Sequence, residues 1–169
     1  MSVQMTEDWY RLLKCFHYLG YHTKEVMSYS FDKALAYSLV TSNEAEVREI
    51  RSFFPREGQP RRHDAAIWVI EGLSDRGSTI YRLREVFHPR QITRADRSHY
   101  SGASRDFIYT LDGVGTPFGE GLVLNGLSWF DPFLKKNGNF GFGLDHLRDA
   151  EVKQHFLDLA RPFFRKPVA

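Results

Sequence analysis

Residues 65–87 read AAIWVIEGLSDRGSTIYRLREVF, and this stretch decides the fold class. Two runs rich in β-branched and aromatic residues, at 65–73 and 78–87, flank the polar segment SDRG. Such runs on either side of a short loop that contains glycine are typical of a β-hairpin. In the second run apolar residues alternate with Arg82 and Arg84. The sequence therefore predicts an antiparallel pair of strands with one apolar face and one basic face.

The region before the hairpin, residues 1–54, carries helical patterns. Apolar residues recur at the 3.6-residue period between Trp9 and Leu19, which predicts a first helix that ends at Gly20. A shorter pattern of the same period predicts a second helix at 31–39. We therefore expect this part of the chain to be helical.

A third helix in this region is indicated by residues at its two ends. Asn43 is followed three residues later by Glu46, as in a capping box, and Pro55 stops the helix. Residues 55–63 contain two prolines and one glycine but no apolar side chain. This composition predicts a solvated linker loop.

Turn signals follow the hairpin at short intervals. The second strand is expected to end at His88 and Pro89, and Asp-Gly at 112–113 and Asn-Gly at 125–126 and 137–138 predict tight turns. The segments around these turns are predicted to form an antiparallel meander. They are 105–111, 122–124, 127–133 and 140–144.

The chain closes with a clear helical signal at 149–160. Asp149 is the expected cap, and Val152, Phe156 and Leu159 form the expected buried stripe. Helices, then clustered strands, then a helix predict an α+β fold. In this fold the N-terminal helices and one C-terminal helix pack on one face of a mostly antiparallel sheet.

We predict a single domain that covers residues 1–169. Its predicted parts are a helical part at 1–54, a linker loop at 55–63, a β-rich part at 64–144 and a C-terminal helix at 149–160.

The composition is that of an ordinary globular protein, with 42% hydrophobic and 26% charged residues in a chain of 169. These values argue against a disordered, collagen-like or coiled-coil chain. The single cysteine, Cys15, favours a reducing compartment, and no apolar run is long enough to cross a membrane. We expect a cytoplasmic protein that does not insert into membranes.

No metal site and no cofactor are predicted. Cys15, His17 and His22 lie near one another in sequence, but a structural zinc site needs four ligands in paired short spacings. Glu151 and His155 lie one helical turn apart, which is typical of an ordinary surface ion pair.

The centre of the chain carries residues suited to phosphate chemistry. Metal-independent cleavage of RNA needs a base for the 2′-hydroxyl, an acid for the leaving oxygen and cations for the phosphate. The candidate catalytic residues are Glu85, His88 and His99. Arginine binds phosphate through its planar fork, and tyrosine stacks on bases. The residues predicted to bind phosphate or nucleic acid are Arg62, Arg82, Arg84, Arg97, Tyr81 and Tyr100.

The leading hypothesis is therefore a small enzyme or binder that acts on RNA or a nucleotide through this Arg/His/Tyr face. Two alternatives stay open. The arginines can be a solvated sheet face paired with nearby acids. The chain can instead be a non-catalytic module that binds a protein partner, such as an inhibitor or immunity-type binder, through the aromatic segment 129–133. The sequence predicts neither the identity of the partner nor the oligomeric state.

Overall fold

A six-stranded sheet forms the centre of the structure, a computed structural model that describes residues 3–23, 37–94, 109–137 and 143–167. Its strands are β1 (Phe16–Thr23), β2 (Ser38–Thr41), β3 (Ala65–Asp75), β4 (Ser78–Arg94), β5 (Tyr109–Val123) and β6 (Leu144–His146). They lie in the order β2-β5-β4-β3-β1-β6. Only β1 and β3 run parallel, and the other neighbours are antiparallel. The mostly antiparallel sheet is confirmed.

Four α-helices pack on this sheet in the described part of the chain. They are α1 (Glu7–Leu13), α2 (Glu44–Ser52), α3 (Phe130–Lys136) and α4 (Ala150–Ala160), and a 3₁₀ turn, Arg161–Phe164, follows α4. This arrangement confirms the α+β class. None of the helices in the described ranges has the length and apolar character that a membrane span requires.

Buried apolar side chains form two clusters, one on each face of the sheet. The first face, on which Trp68 lies, is covered by α1, α3 and α4. The second face, on which Val69 lies, is covered by α2, whose Val47 and Ile50 are buried there. The prediction that the helices share one face was therefore wrong, because α2 packs on the side opposite to the others.

The hairpin that decides the fold class is confirmed, with Asp75 paired to Ser78, so its loop has two residues rather than the predicted four. The prediction of a separate basic face was wrong, because the face that carries Arg82 also carries Phe87 of the second-face core. Arg76 and Gly77 have φ angles of 49° and 85°, as a two-residue hairpin turn requires. The second strand does not end at His88 and Pro89 but continues to Arg94. The register with β5 shifts just after Pro89, and such a bulge accommodates a residue that has no N–H for the ladder.

The first predicted helix was only half right. The helix ends at Leu13, and the rest of the pattern forms β1. Tyr18 and Leu19 are buried on opposite faces of the sheet. A strand buried on both faces gives a continuous apolar run, which periodicity does not separate from a helix.

The other elements predicted for the N-terminal region were right in part. The second predicted helix, at 31–39, ends inside strand β2 (Ser38–Thr41), so residues 38–39 are strand rather than helix, and residues 31–36 lie outside the described ranges. The third helix is confirmed, and the side chain of Asn43 accepts a hydrogen bond from the Glu46 N–H at 3.3 Å. The linker loop at 55–63 contains neither helix nor strand.

The glycine-containing segment at 112–113 is not a turn but part of β5. A Cβ atom on Gly113 would lie 1.9 Å from the His88 carbonyl oxygen, and one on Gly115 would lie 2.3 Å from that of Val86. Glycine therefore allows β5 to pass unusually close to β4.

The segment predicted as a strand at 127–133 instead leads into helix α3. Phe130 and Phe133, one turn apart, are both buried against the first-face core. The C-terminal helix is confirmed with its cap, since Asp149 accepts hydrogen bonds from Glu151 N at 3.0 Å and Val152 N at 3.2 Å. Of the last predicted strand, residues 140–142 fall outside the described chain, and Leu144–His146 is β6.

Candidate functional site

A β-bulge in β4 brings together three of the predicted site residues. Leu83 pairs with Ile70 and Glu85 pairs with Val69, so Arg84 is the extra residue on β4. Directly paired residues point to the same face, which places Glu85 on the second face beside Val69. Without the extra residue, Arg84 and Glu85 would point to opposite sides.

Arg82 lies on the same face as Glu85. It pairs with Glu71, two residues beyond Val69 on β3, and residues two apart on a strand share a face. A Cβ atom on Gly121 would lie 3.0 Å from Arg82 Cβ and 3.0 Å from Arg84 Cδ. The two arginine side chains therefore flank the backbone of β5 at Gly121, and Nη1 of Arg84 donates a hydrogen bond to the Glu120 carbonyl.

The carboxyl group of Glu85 has an unusual environment. The residue is 0% exposed, and neither of its side-chain oxygens has a hydrogen-bond partner in the described structure. Burial raises its pKa to about 9, and the charge of Arg84 acts in the opposite direction. At neutral pH the group is therefore a carboxylic acid, which can donate a hydrogen bond or a proton.

Tyr37 is a site residue that the sequence did not reveal. It is half-buried, and its carbonyl accepts a hydrogen bond from Gly113 N–H at 2.9 Å. Burial raises the pKa of its phenol, and so does the charge of Glu85. No local motif marks Tyr37, because its place against the second-face core results from the pairing of β2 with β5.

His88 does not join this group. It follows Phe87 of the second-face core, and successive residues of a strand point to opposite faces. Its Nδ1 lies 3.0 Å from the Ala65 carbonyl oxygen and 3.7 Å from Cys15 Sγ. Burial lowers the pKa of this buried imidazole. Glu85 and His88 therefore do not face one substrate from the same side.

Cys15, His88 and Asp64 superficially resemble a nucleophile, a base and an orienting acid. In a catalytic triad, one ring nitrogen of the histidine faces the nucleophile and the other faces the acid. Here a single nitrogen of His88, Nδ1, faces both Cys15 Sγ and, at 3.9 Å, Asp64 Oδ2. Burial, followed by the charge of Asp64, raises the pKa of the Cys15 thiol to about 12. The group does not form an activated cysteine.

Asp64 has its own cationic partners. Arg90 binds it through two nitrogens, at 2.9 and 3.0 Å, and Arg61 lies 3.5 Å away. Burial acts to raise the pKa of Asp64, but the hydrogen bonds and charge of Arg90 outweigh it and lower the pKa. Donor atoms of Cys15, Asp64 and His88 do lie within 4.8 Å of one another, but the arginines already neutralise the carboxylate that a metal ion would need.

The remaining predicted residues are dispersed. Tyr81 packs between Tyr21, at 6.2 Å between ring centroids, and Phe130, at 5.3 Å. Arg62 is exposed in the linker loop. His99, Arg97 and Tyr100 lie outside the described residues.

Comparison with models of protein families, with curated proteins and with solved structures finds no match to this chain. The chemistry of the bulge is therefore the basis for a functional proposal.

Proposed function

We propose that the chain binds a phosphate group of RNA or of a nucleotide through Arg82 and Arg84, which lie on the same sheet face as the buried, protonated carboxyl group of Glu85. One observation carries this proposal: a bulge sets Arg84 beside a fully buried carboxyl group that lacks a partner among the described residues, on the sheet face that also carries Arg82. Buried polar atoms are almost always paired, and orphaned ones are a feature of functional sites.

The charges at the site favour an anionic ligand. An ionised carboxylate would repel phosphate, but burial keeps Glu85 neutral at pH 7. The arginines supply positive charge that does not titrate and donors in a fork that matches two phosphate oxygens. Tyr37 adds a protonated phenol on the same side. The described site thus contributes donors and cations.

The same chemistry bears on cleavage. The arginines suit the stabilisation of a charged transition state, whereas the fully buried Glu85 would have to become accessible before it could protonate a leaving oxygen. Cleavage also needs a base, and the described residues of the site include none in its basic form at neutral pH. We therefore propose phosphate binding, and the same experiment also tests whether the protein cleaves RNA.

The experiment measures binding of a labelled, mixed-sequence, single-stranded RNA and of ATP by fluorescence anisotropy at several salt concentrations. Arg82→Ala/Arg84→Ala should weaken RNA binding at least about tenfold and lower the slope of log K against log salt by about 2, since two phosphate contacts are lost. RNA incubated with EDTA and run on a gel reports metal-independent cleavage.

The matched control is Arg48→Ala/Arg51→Ala, which removes the same charge from exposed positions on α2. This variant should keep its affinity to within about twofold, because screened surface charges that do not contact the ligand contribute little. Equal losses in the two double variants would mean diffuse attraction to a basic surface, and the proposed site would be wrong. Each variant is checked for folding by circular dichroism.

The alternative, a protein-binding module, has less support in the described structure. Its anchor would be the segment at 129–133, but Phe130 is 0% and Phe133 is 4% exposed. Trp129 is half-buried and stacks on His155 at 4.9 Å between ring centroids. These side chains belong to the core on the first face.

A further inference from the structure

A second group of polar side chains lies between α2 and the edge strand β6. Glu46 and Glu49 are one helical turn apart on α2, and His146 comes from β6. One potential ligand atom from each of the three residues lies within 4.8 Å of the other two. This group is separate from the Arg82/Arg84/Glu85 site and is not part of the proposed phosphate-binding function.

Two atoms of this group are buried and lack the partners that such atoms normally have. They are Oε2 of Glu46 and Nδ1 of His146, and neither makes a hydrogen bond in the described structure. Nδ1 of His146 lies 4.0 Å from Oε1 of Glu49, which is too long for a hydrogen bond. Two ligands of one zinc ion, each about 2.1 Å from the metal, lie about 3 to 4 Å apart.

Tyr18 orients two of the three donors. This residue is fully buried, its hydroxyl donates to Oε1 of Glu49, and its ring stacks on His146 with 5.0 Å between centroids. Hydrogen bonds and packing of this kind hold metal ligands in place in known metal sites. The buried Tyr18 thus holds the side chains of Glu49 and His146 in position.

The local charge also favours a cation. The carboxyl group of Glu46 lies near those of Glu49 and Asp145. Arg148 opposes them. Lys153 is a second nearby cation, so three carboxyl groups face two cations and leave negative charge that a divalent ion would neutralise.

We propose that Glu46, Glu49 and His146 bind a first-row divalent metal ion, with zinc as the best match, and that this ion joins α2 to β6. An imidazole nitrogen with two carboxylates favours zinc over magnesium and calcium, which prefer sites made of oxygen ligands alone. In the other donor group, Cys15, Asp64 and His88, the arginines that contact Asp64 disfavour a cation.

The test is calorimetric titration of the untagged, full-length protein with zinc chloride after treatment with EDTA and dialysis. We expect one equivalent of zinc to bind, with a rise in the melting temperature. Glu46→Gln and His146→Gln should each weaken zinc binding at least about tenfold. Magnesium chloride at the same concentration should leave the melting temperature unchanged.

Two controls make the assignment specific. Glu44→Gln changes an exposed acid on the same helix, and Cys15→Ser disables the other donor group. Both should bind zinc as the wild type does. The proposal is overturned if the wild type takes up no zinc, or if Cys15→Ser abolishes uptake while Glu46→Gln preserves it. The melting temperature of each variant in EDTA shows whether it is folded, and Glu46→Gln, which keeps the size of the side chain, serves if His146→Gln does not fold.

Discussion

At the scale of single residues, the buried carboxyl group of Glu85 links the proposed site to stability. Its pKa is about 9 in the folded protein against an ordinary value of 4.5. Between these values the folded protein retains a proton that the unfolded chain releases, so stability falls as pH rises through this window. By pH 7 this effect amounts to about 3 kcal/mol relative to acidic solution.

Glu85→Gln removes the titrating group and keeps its size. We expect the variant to gain stability relative to the wild type as pH rises from 5 to 8, with the largest gain at pH 8. Urea unfolding at both pH values measures the change in the free energy of unfolding. Glu120→Gln, at an exposed position of β5, is the control and should show no such trend. A Glu85→Gln protein with the same pH dependence as the wild type would mean that Glu85 is ionised when folded.

His17 has the opposite effect on the pH dependence. It is 2% exposed, and its Nδ1 accepts a hydrogen bond from Trp68 Nε1 at 2.9 Å. Burial, followed by the charge of Lys153, lowers its pKa to about 4. Because this pKa is depressed below the ordinary 6.5, the unfolded chain takes up the proton first, and stability is lost as pH falls from 6.5 to 4.

We expect this loss to be about 3 kcal/mol. A His17→Gln protein should be less stable at pH 7, since the bond from Trp68 is perturbed, but should lose less stability between pH 6.5 and 4 than the wild type does. Titration of His17 followed by NMR is the direct measurement. A midpoint near 6.5 would contradict the burial argument. The effects of Glu85 and His17 oppose each other between pH 4.5 and 6.5, so each variant reveals the contribution of the other residue.

At the scale of elements, the contact between β4 and β5 depends on glycine. Gly113→Ala places a methyl group against the His88 carbonyl, where the contact would be 1.9 Å. Backbone atoms cannot rotate out of the way, so the strands must separate and the ladder must weaken. We expect a loss well above the roughly 1 kcal/mol that is typical of point substitutions.

Gly119→Ala in the same strand is the matched comparison for this substitution. Gly119 has a φ of +61° but open space around its Cβ position, so only the left-handed conformation is penalised, by about 1 to 2 kcal/mol. Denaturant unfolding of both variants measures the difference. A Gly113→Ala protein as stable as Gly119→Ala would show that the strands are less tightly apposed than the structure indicates.

Elements whose signals are local were predicted well. The hairpin of β3 and β4, helix α2 behind Asn43 and helix α4 behind Asp149 each combine a periodic apolar pattern with a turn or cap residue. Predictions failed where packing outweighs the local pattern. The helix-like run that continues from α1 became β1, because it pairs with β3 and β6 inside the sheet and its Tyr18 and Leu19 are buried on opposite faces. Residues 112–113, which predicted a turn, lie inside β5 because they pair with β4.

At the scale of the whole molecule, the sheet separates groups that are close in sequence. Glu85 and His88 are three residues apart but lie on opposite faces, so the predicted pair of catalytic residues is split. Arg82, Arg84 and Glu85 are brought together, because the bulge changes which way the chain faces within β4. The same sheet joins groups that are remote in sequence, since β1 carries Tyr18 between α2 and β6.

The sequence by itself determined the α+β class, the central hairpin, two capped helices and the basic character of β4, because each depends on residues that are neighbours along the chain. Only the tertiary structure decided that Glu85 is buried beside Arg84, that Tyr37 packs on the same face of the sheet, and that Glu46 and Glu49 meet His146. Those contacts depend on strand pairing, on one bulged residue and on the burial of charge. Such features arise between distant segments, and no local pattern in the chain encodes them.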